Sequence, residues 1–139
     1  MAYTTINDAS KYFHTQLYTG DGNDDRSITN SANAGDFKPD FMWVKERDQT
    51  RHHQWVDSSR GVTKYIQSSL TNAQSTNANA IQAFETNGFQ LGTDADVNLN
   101  TGTYVAWQWK SNGGTATATI SESGSNPADS VQANTTAGF

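Results

Sequence analysis

Alternation constrains this chain more than any other feature. Tyr104-Val105-Ala106-Trp107-Gln108-Trp109-Lys110 switches side-chain character at nearly every step, and period two places Val105, Trp107 and Trp109 on one face and Ala106, Gln108 and Lys110 on the other. Phe41-Met42-Trp43-Val44-Lys45-Glu46 is a second such run, opened by Pro39-Asp40 where a missing N–H costs least. Short runs of this kind recur between Gly, Asn, Asp and Thr clusters, and helical periodicity is scarce. That pattern predicts an all-β fold, an antiparallel sandwich with little helix.

Further strands follow from the same rule. Tyr12 to Thr19 is predicted as the first, closed by the polar turn Asp21 to Asp25, and Ser27 to Asp36 as a loop or short edge strand. His52 to Asp57 returns on Phe41–Glu46 as a hairpin partner, with a corner at Arg60-Gly61. Ala80 to Phe84 and Gly88 to Leu91 form a tight hairpin in which Asn87-Gly88 supplies positive φ. Thr71 to Ala80, and the stretch from Asp94 to Gly102, read as polar surface loops.

Composition decides what can fill such a sandwich. Ser, Thr, Asn and Gly make up 55 of 139 residues, whereas Leu, Ile, Val and Phe together supply 21. So few aliphatics would favour disorder, but a net charge of only -5 and four Trp oppose it. With aliphatics scarce, Trp43 and Trp107 are expected to fill the core. Trp55, in a polar hairpin, is expected at a contact surface with His53 and Asp57, which share its face. A small aliphatic core in so polar a chain also predicts a homo-oligomer.

Several classes drop out. No apolar run approaches a membrane span. Met1 to Ile6 carry no basic-then-apolar secretory pattern and are expected to be packed upon by something. Without cysteine there is no disulfide, thiolate metal site or cysteine nucleophile. Nine scattered Lys and Arg argue against nucleic acid as a partner.

Candidate chemistry is thin. Asp21-Gly22-Asn23-Asp24-Asp25 begins like a calcium loop, but Arg26 and Ala32 stand where Gly and a bidentate Glu belong, so a polar hairpin turn is the competing reading. Asp94 and Asp96 divide the same way, between an oxygen site and solvated loop carboxylates. His52 and His53 are adjacent and point to opposite faces of a strand, so they cannot share a metal. His53, Asp57 and the nearby Ser58 or Ser59 suggest a nucleophile constellation, but Ser58 falls on the opposite face and no Gly-x-Ser-x-Gly turn is present. The three glutamates, Glu46, Glu85 and Glu122, lack the setting of paired glycosidase acids. No catalytic, metal-binding or cofactor-binding residue is assigned, and no enzyme activity is expected.

Four blocks carry a resemblance. Lys38-Pro39-Asp40-Phe41-Met42-Trp43-Val44-Lys45, Asp57-Ser58-Ser59-Arg60-Gly61, Phe84 to Gly92 and Tyr104 to Lys110 stand in the order found in a domain of unknown function. That domain occurs in tail-fibre-like structural proteins of marine and cyanobacterial tailed phages, and the resemblance covers Tyr12 to Gly114. It implies a jelly-roll, concanavalin-like or SPRY-like sandwich and brings no established catalytic residues. The implied role is the N-terminal module of a tail fibre or similar appendage, made in the host cytoplasm and residing in the virion. There it would anchor or assemble the appendage on tail or adaptor proteins, as a trimer by analogy with fibres. The alternatives are a lectin-like module reading host surface glycans, or a capsid decoration or head fibre. Residues 1–114 are expected to be the sandwich module. Residues 115–139 are expected to be a connector leading into a following β-repeat, as if the chain were the front of a longer one.

Overall fold

A computed structural model of the chain describes residues 8–30, 37–125 and 129–138. In chain order its strands are β1 (Phe13–Thr19), β2 (Arg26–Thr29), β3 (Phe41–Glu46), β4 (Gln54–Asp57), β5 (Lys64–Ile66), β6 (Ser75–Thr76), β7 (Ile81–Glu85), β8 (Gly88–Leu91), β9 (Thr103–Trp109), β10 (Ala118–Ile120) and β11 (Asp129–Val131). A 3-10 turn at Ala9–Lys11 and one α-helical turn, α1 at Ala95–Asn98, are the helical elements among the described residues. All strand pairings are antiparallel. The fold is an all-β sandwich, as the alternation predicts.

One sheet has the order β1-β9-β3-β4-β5-β6, and the facing sheet the order β2-β8-β7. The core lies between them. The large sheet contributes Met42, Val44, Val56, Tyr104 and Ala106, and the small one Ile28, Ile81, Phe84, Phe89 and Leu91. Tyr18 reaches inward from β1, stacking on Tyr104 with ring centroids 5.1 Å apart and meeting Phe89 edge-on at 5.8 Å. Both phenols find backbone partners: Tyr18 donates to Val97 O at 2.8 Å and Tyr104 to Ala95 O at 2.9 Å. Those bonds seat α1 on the sandwich, and Asp94 caps it by accepting from Asp96 N at 2.7 Å.

The main strands fall where predicted. The β7–β8 hairpin needs its glycine: Gly88 has φ 121°, and a Cβ there would stand 2.0 Å from Ile28 O of β2. Elsewhere the structure departs from expectation. Asp94 to Gly102 contains α1, Thr71 to Ala80 contains β6 and ends on buried Ala80, and the connector span 115–139 contains β10 and β11. The predictions for Met1 to Ile6 and for 31–36 lie outside the described residues.

The largest correction concerns tryptophan. Trp43 and Trp107 are not core residues; they are half-buried on the outer face of the large sheet. The phase of the strands decides this. Met42, Val44, Tyr104 and Ala106 point inward, so their neighbours Trp43, Val105 and Trp107 must point out. Aromatic volume in the core comes instead from Tyr18, Phe84, Phe89 and Tyr104.

Candidate functional site: an aromatic sheet face

The register of the large sheet lines its outward side chains into rows. Phe13, Trp109, Phe41 and Asp57 form one row, with Thr15, Trp107, Trp43, Trp55 and Ile66 beside it. A third row holds Leu17, Val105 and Lys45. The rings touch continuously. Centroid separations are 5.0 Å for Phe13–Trp109, 5.1 Å for Trp109–Phe41, 6.0 Å for Phe41–Trp55, 5.4 Å for Trp55–Trp43 and 5.3 Å for Trp43–Trp107. Interplanar angles from 52° to 72° make this an edge-to-face lattice, which aromatic quadrupoles favour over flat stacking. Phe13 at 39% and Leu17 at 54% exposure are open to solvent at its margin.

Polar groups on this face are few and mostly committed. Trp43 Nε1 donates to His53 Nδ1 at 2.7 Å, so that nitrogen of His53 carries no proton. Desolvation, then Lys45 and His52, holds the His53 imidazolium below its ordinary range. Lys45 Nζ turns back to the carbonyls of Glu46 and Gln49. Asp57 accepts from Arg60 N at 2.8 Å and Arg60 Nε at 2.6 Å.

At one end of the lattice a cleft of about 370 Å³ opens between Phe41 and Trp109, lined also by Asp40, Asp57, Ser111 and Gln132. Asp40 is buried beneath it, accepting from Ser58 Oγ at 2.9 Å and Ser111 N at 2.7 Å. Gln132, following β11, closes one wall: its Nε2 donates to Ser58 and Ser59 hydroxyls, and its Oε1 accepts from Asn112 N and Gly114 N. The β10–β11 hairpin is thus tied to the β4–β5 corner by amide and hydroxyl groups.

A family model described as a domain of unknown function (DUF7483) matches residues 8–139. The chain belongs to that family. The matched span takes in both sheets of the DUF7483 fold, the aromatic face and the β10–β11 hairpin. No curated protein and no solved structure matches the chain.

The residues singled out from the sequence separate clearly within the DUF7483 domain. Trp55 and His53 both contact Trp43 on the outer face, while Asp57 sits at the cleft. His52 leaves them, its Nδ1 3.1 Å from Ser69 Oγ. Ser58 pairs with Asp40 and Gln132, not with a histidine. The acidic loops are occupied by their own chain. Asp21 accepts from Asn23 N at 2.9 Å and pairs with Arg26 at 3.2 Å, Asp94 takes Asp96 N and Asn77 Nδ2, and Asp96 takes Arg51 at 2.9 Å. The bond from Asn23 N, then the charge of Arg26, keeps the Asp21 carboxyl below the usual range. Among the described residues no three His, Asp or Glu side chains group to hold a metal ion. No helix among them is long and apolar enough to cross a membrane.

Sequence reasoning missed two buried carboxylates, Asp40 beneath the cleft and Glu46. Glu46 is fully buried on the inner face, with Arg51 Nε 2.8 Å from its Oε2 but off the N–H axis, a charge contact without an aligned hydrogen bond. The same alternation that buries Met42 and Val44 carries the signal, since Glu46 continues their phase.

Proposed function

We propose that this chain is a non-catalytic structural module of a tailed-phage virion, which docks a tail fibre or similar appendage on another virion protein. The observation that carries the reading is the continuous aromatic lattice on the outer face of the large sheet. A face made of Phe13, Phe41, Trp43, Trp107 and Trp109, in which the nearest charges turn to their own backbone or to an ion pair, buries apolar area at little desolvation cost when a flat partner covers it. Tryptophan at the centre of such a patch is the residue type that most often dominates binding energy. The resemblance of the Lys38–Lys45, Asp57–Gly61, Phe84–Gly92 and Tyr104–Lys110 blocks to phage appendage proteins supplies the biological setting. In that setting the chain is made in the host cytoplasm, resides in the virion and works as a homo-oligomer.

The test is capture of purified tail or adaptor proteins by the full chain. Wild type should bind, and Trp43→Ser with Trp107→Ser should lose binding while the fold, followed by far-ultraviolet dichroism, persists. Unchanged capture by the double variant sinks the reading.

A second reading rests on the cleft. Two tilted rings, Phe41 and Trp109, flank the carboxylates of Asp40 and Asp57 and the Ser111 side chain, a combination able to stack a pyranose and accept its hydroxyls. Glycan-array binding at micromolar strength that is lost in Trp109→Ala, with no capture of virion proteins, would put the lectin role in place of docking.

A further inference from the structure

We infer that β1 is a self-association edge, through which two copies of the chain pair antiparallel about a two-fold axis and join their large sheets into one. This goes beyond the docking role, because it concerns the sheet's edge and not its face. β1 ends the order of the large sheet and is seven residues long. Natural edges are usually blunted by charge, proline, bulges or shortness. Phe13-His14-Thr15-Gln16-Leu17-Tyr18-Thr19 contains no Lys, Arg, Asp, Glu or Pro, and its register with β9 runs without a shift.

The ladder shows which backbone groups are free. Lys110 N donates to Tyr12 O at 2.9 Å and Gly20 N to Gly102 O at 2.8 Å, so the even-numbered residues of this strand exchange bonds with β9. The N–H and C=O of Phe13, Thr15, Leu17 and Thr19 therefore point away from the sheet. Among the described residues one group reaches them, the Gln16 amide donating to Leu17 O at 2.7 Å. A second β1, centred on Gln16, would pair Phe13 with Thr19, Thr15 with Leu17 and Gln16 with itself, forming about eight hydrogen bonds. This register uses all seven residues and opposes no like charges. It also matches odd with odd, which keeps both aromatic lattices on the same side of the joined sheet. Phe13 and Leu17, the outward apolar side chains of β1 that solvent reaches most, then face the partner's Thr19 and Thr15.

The absence of cysteine makes the register directly testable. Gln16→Cys in the full chain should give a disulfide-linked dimer under mild oxidation. Thr15→Cys should not, because its two copies sit a diagonal apart, beyond disulfide reach. Light scattering should find a dimer at tens of micromolar. Thr15→Pro removes an outward N–H but no β9 bond, and should weaken that dimer by roughly tenfold or more. Leu17→Lys should do the same without touching the backbone. A stable monomer, or an oligomer that forms no Gln16→Cys link and ignores both Thr15→Pro and Leu17→Lys, overturns the inference. Neither result bears on capture of virion proteins through Trp43 and Trp107, so the two proposals fail separately.

Discussion

The two faces of the large sheet are built from alternate residues of the same strands, yet they solve different problems. Inward, β3 and β9 present Met42, Val44, Tyr104 and Ala106, shapes that pack against Ile81, Phe84, Phe89 and Leu91 between the two sheets. Outward, the same strands present Phe41, Trp43, Trp107 and Trp109, which lean on one another and leave their upper surface to solvent. A shortage of aliphatics therefore does not force tryptophan inside. Two tyrosines whose hydroxyls bond the α1 backbone supply the missing volume and seat the helix in one stroke. Which face a ring joins is set by strand phase, not by its hydrophobicity.

The contrast can be broken by experiment. Tyr104→Ala removes a fully buried ring, its stacking on Tyr18 and two hydrogen bonds, and should cost about 3–5 kcal/mol in urea unfolding. Trp107→Ala removes a larger ring from the outer lattice, and should cost only about 1–2 kcal/mol and leave a folded chain. Equal losses for the two would erase the distinction between the faces.

Titration sharpens the contrast. Burial pushes the Tyr104 phenol up to about 12 and raises Tyr18 as well, with the neighbouring Tyr104 adding to the rise. The unfolded chain releases both protons near its ordinary value of 10.0, so this stability is whole below that pH and is lost as pH rises above it, the Tyr104 share between 10.0 and about 12. Melting temperature should hold through mild alkali and fall across that window, in step with phenolate absorbance. The outer face should respond in acid, and least. The folded state holds His53 below its ordinary 6.5, so its contribution is complete above 6.5 and is lost as pH falls further and the unfolded chain takes up the proton first. Protonation also ends its acceptance from Trp43, so tryptophan emission should shift there while global stability declines slightly. His53→Phe should abolish the emission step.

Legibility in the sequence followed the reach of local rules. β3, β9 and the β7–β8 hairpin were readable because alternation and Asn87-Gly88 specify them without outside help. α1 was not, because four residues carry no helical period, and it is Tyr18, Tyr104 and the Asp94 cap that hold it. β6 and β11 are short and polar, and become strands only by pairing with β5 and β10. For the aromatic face only a part is legible: alternation puts Val105, Trp107 and Trp109 on one face of β9, but it neither tells which side that is nor joins Phe13, Phe41 and Trp55 to them, since cross-strand register does that. Nothing local reveals which face of a strand a second sheet will cover. The cleft was invisible for a related reason: it joins Asp40 and Phe41 to Gln132, some ninety residues away along the chain.

The pairing of Phe13 with Trp109 gives the sandwich a direction of weakness under tension. The chain enters β1 and leaves β9 at the same end of the large sheet. A pull applied between those two points would load the Tyr12–Lys110 bond first, then the His14–Gln108 bonds, and so on to Gly20–Gly102, peeling the edge open like a zipper instead of loading the whole ladder at once in shear. Force reaching the module through its face or its free edge meets no such seam.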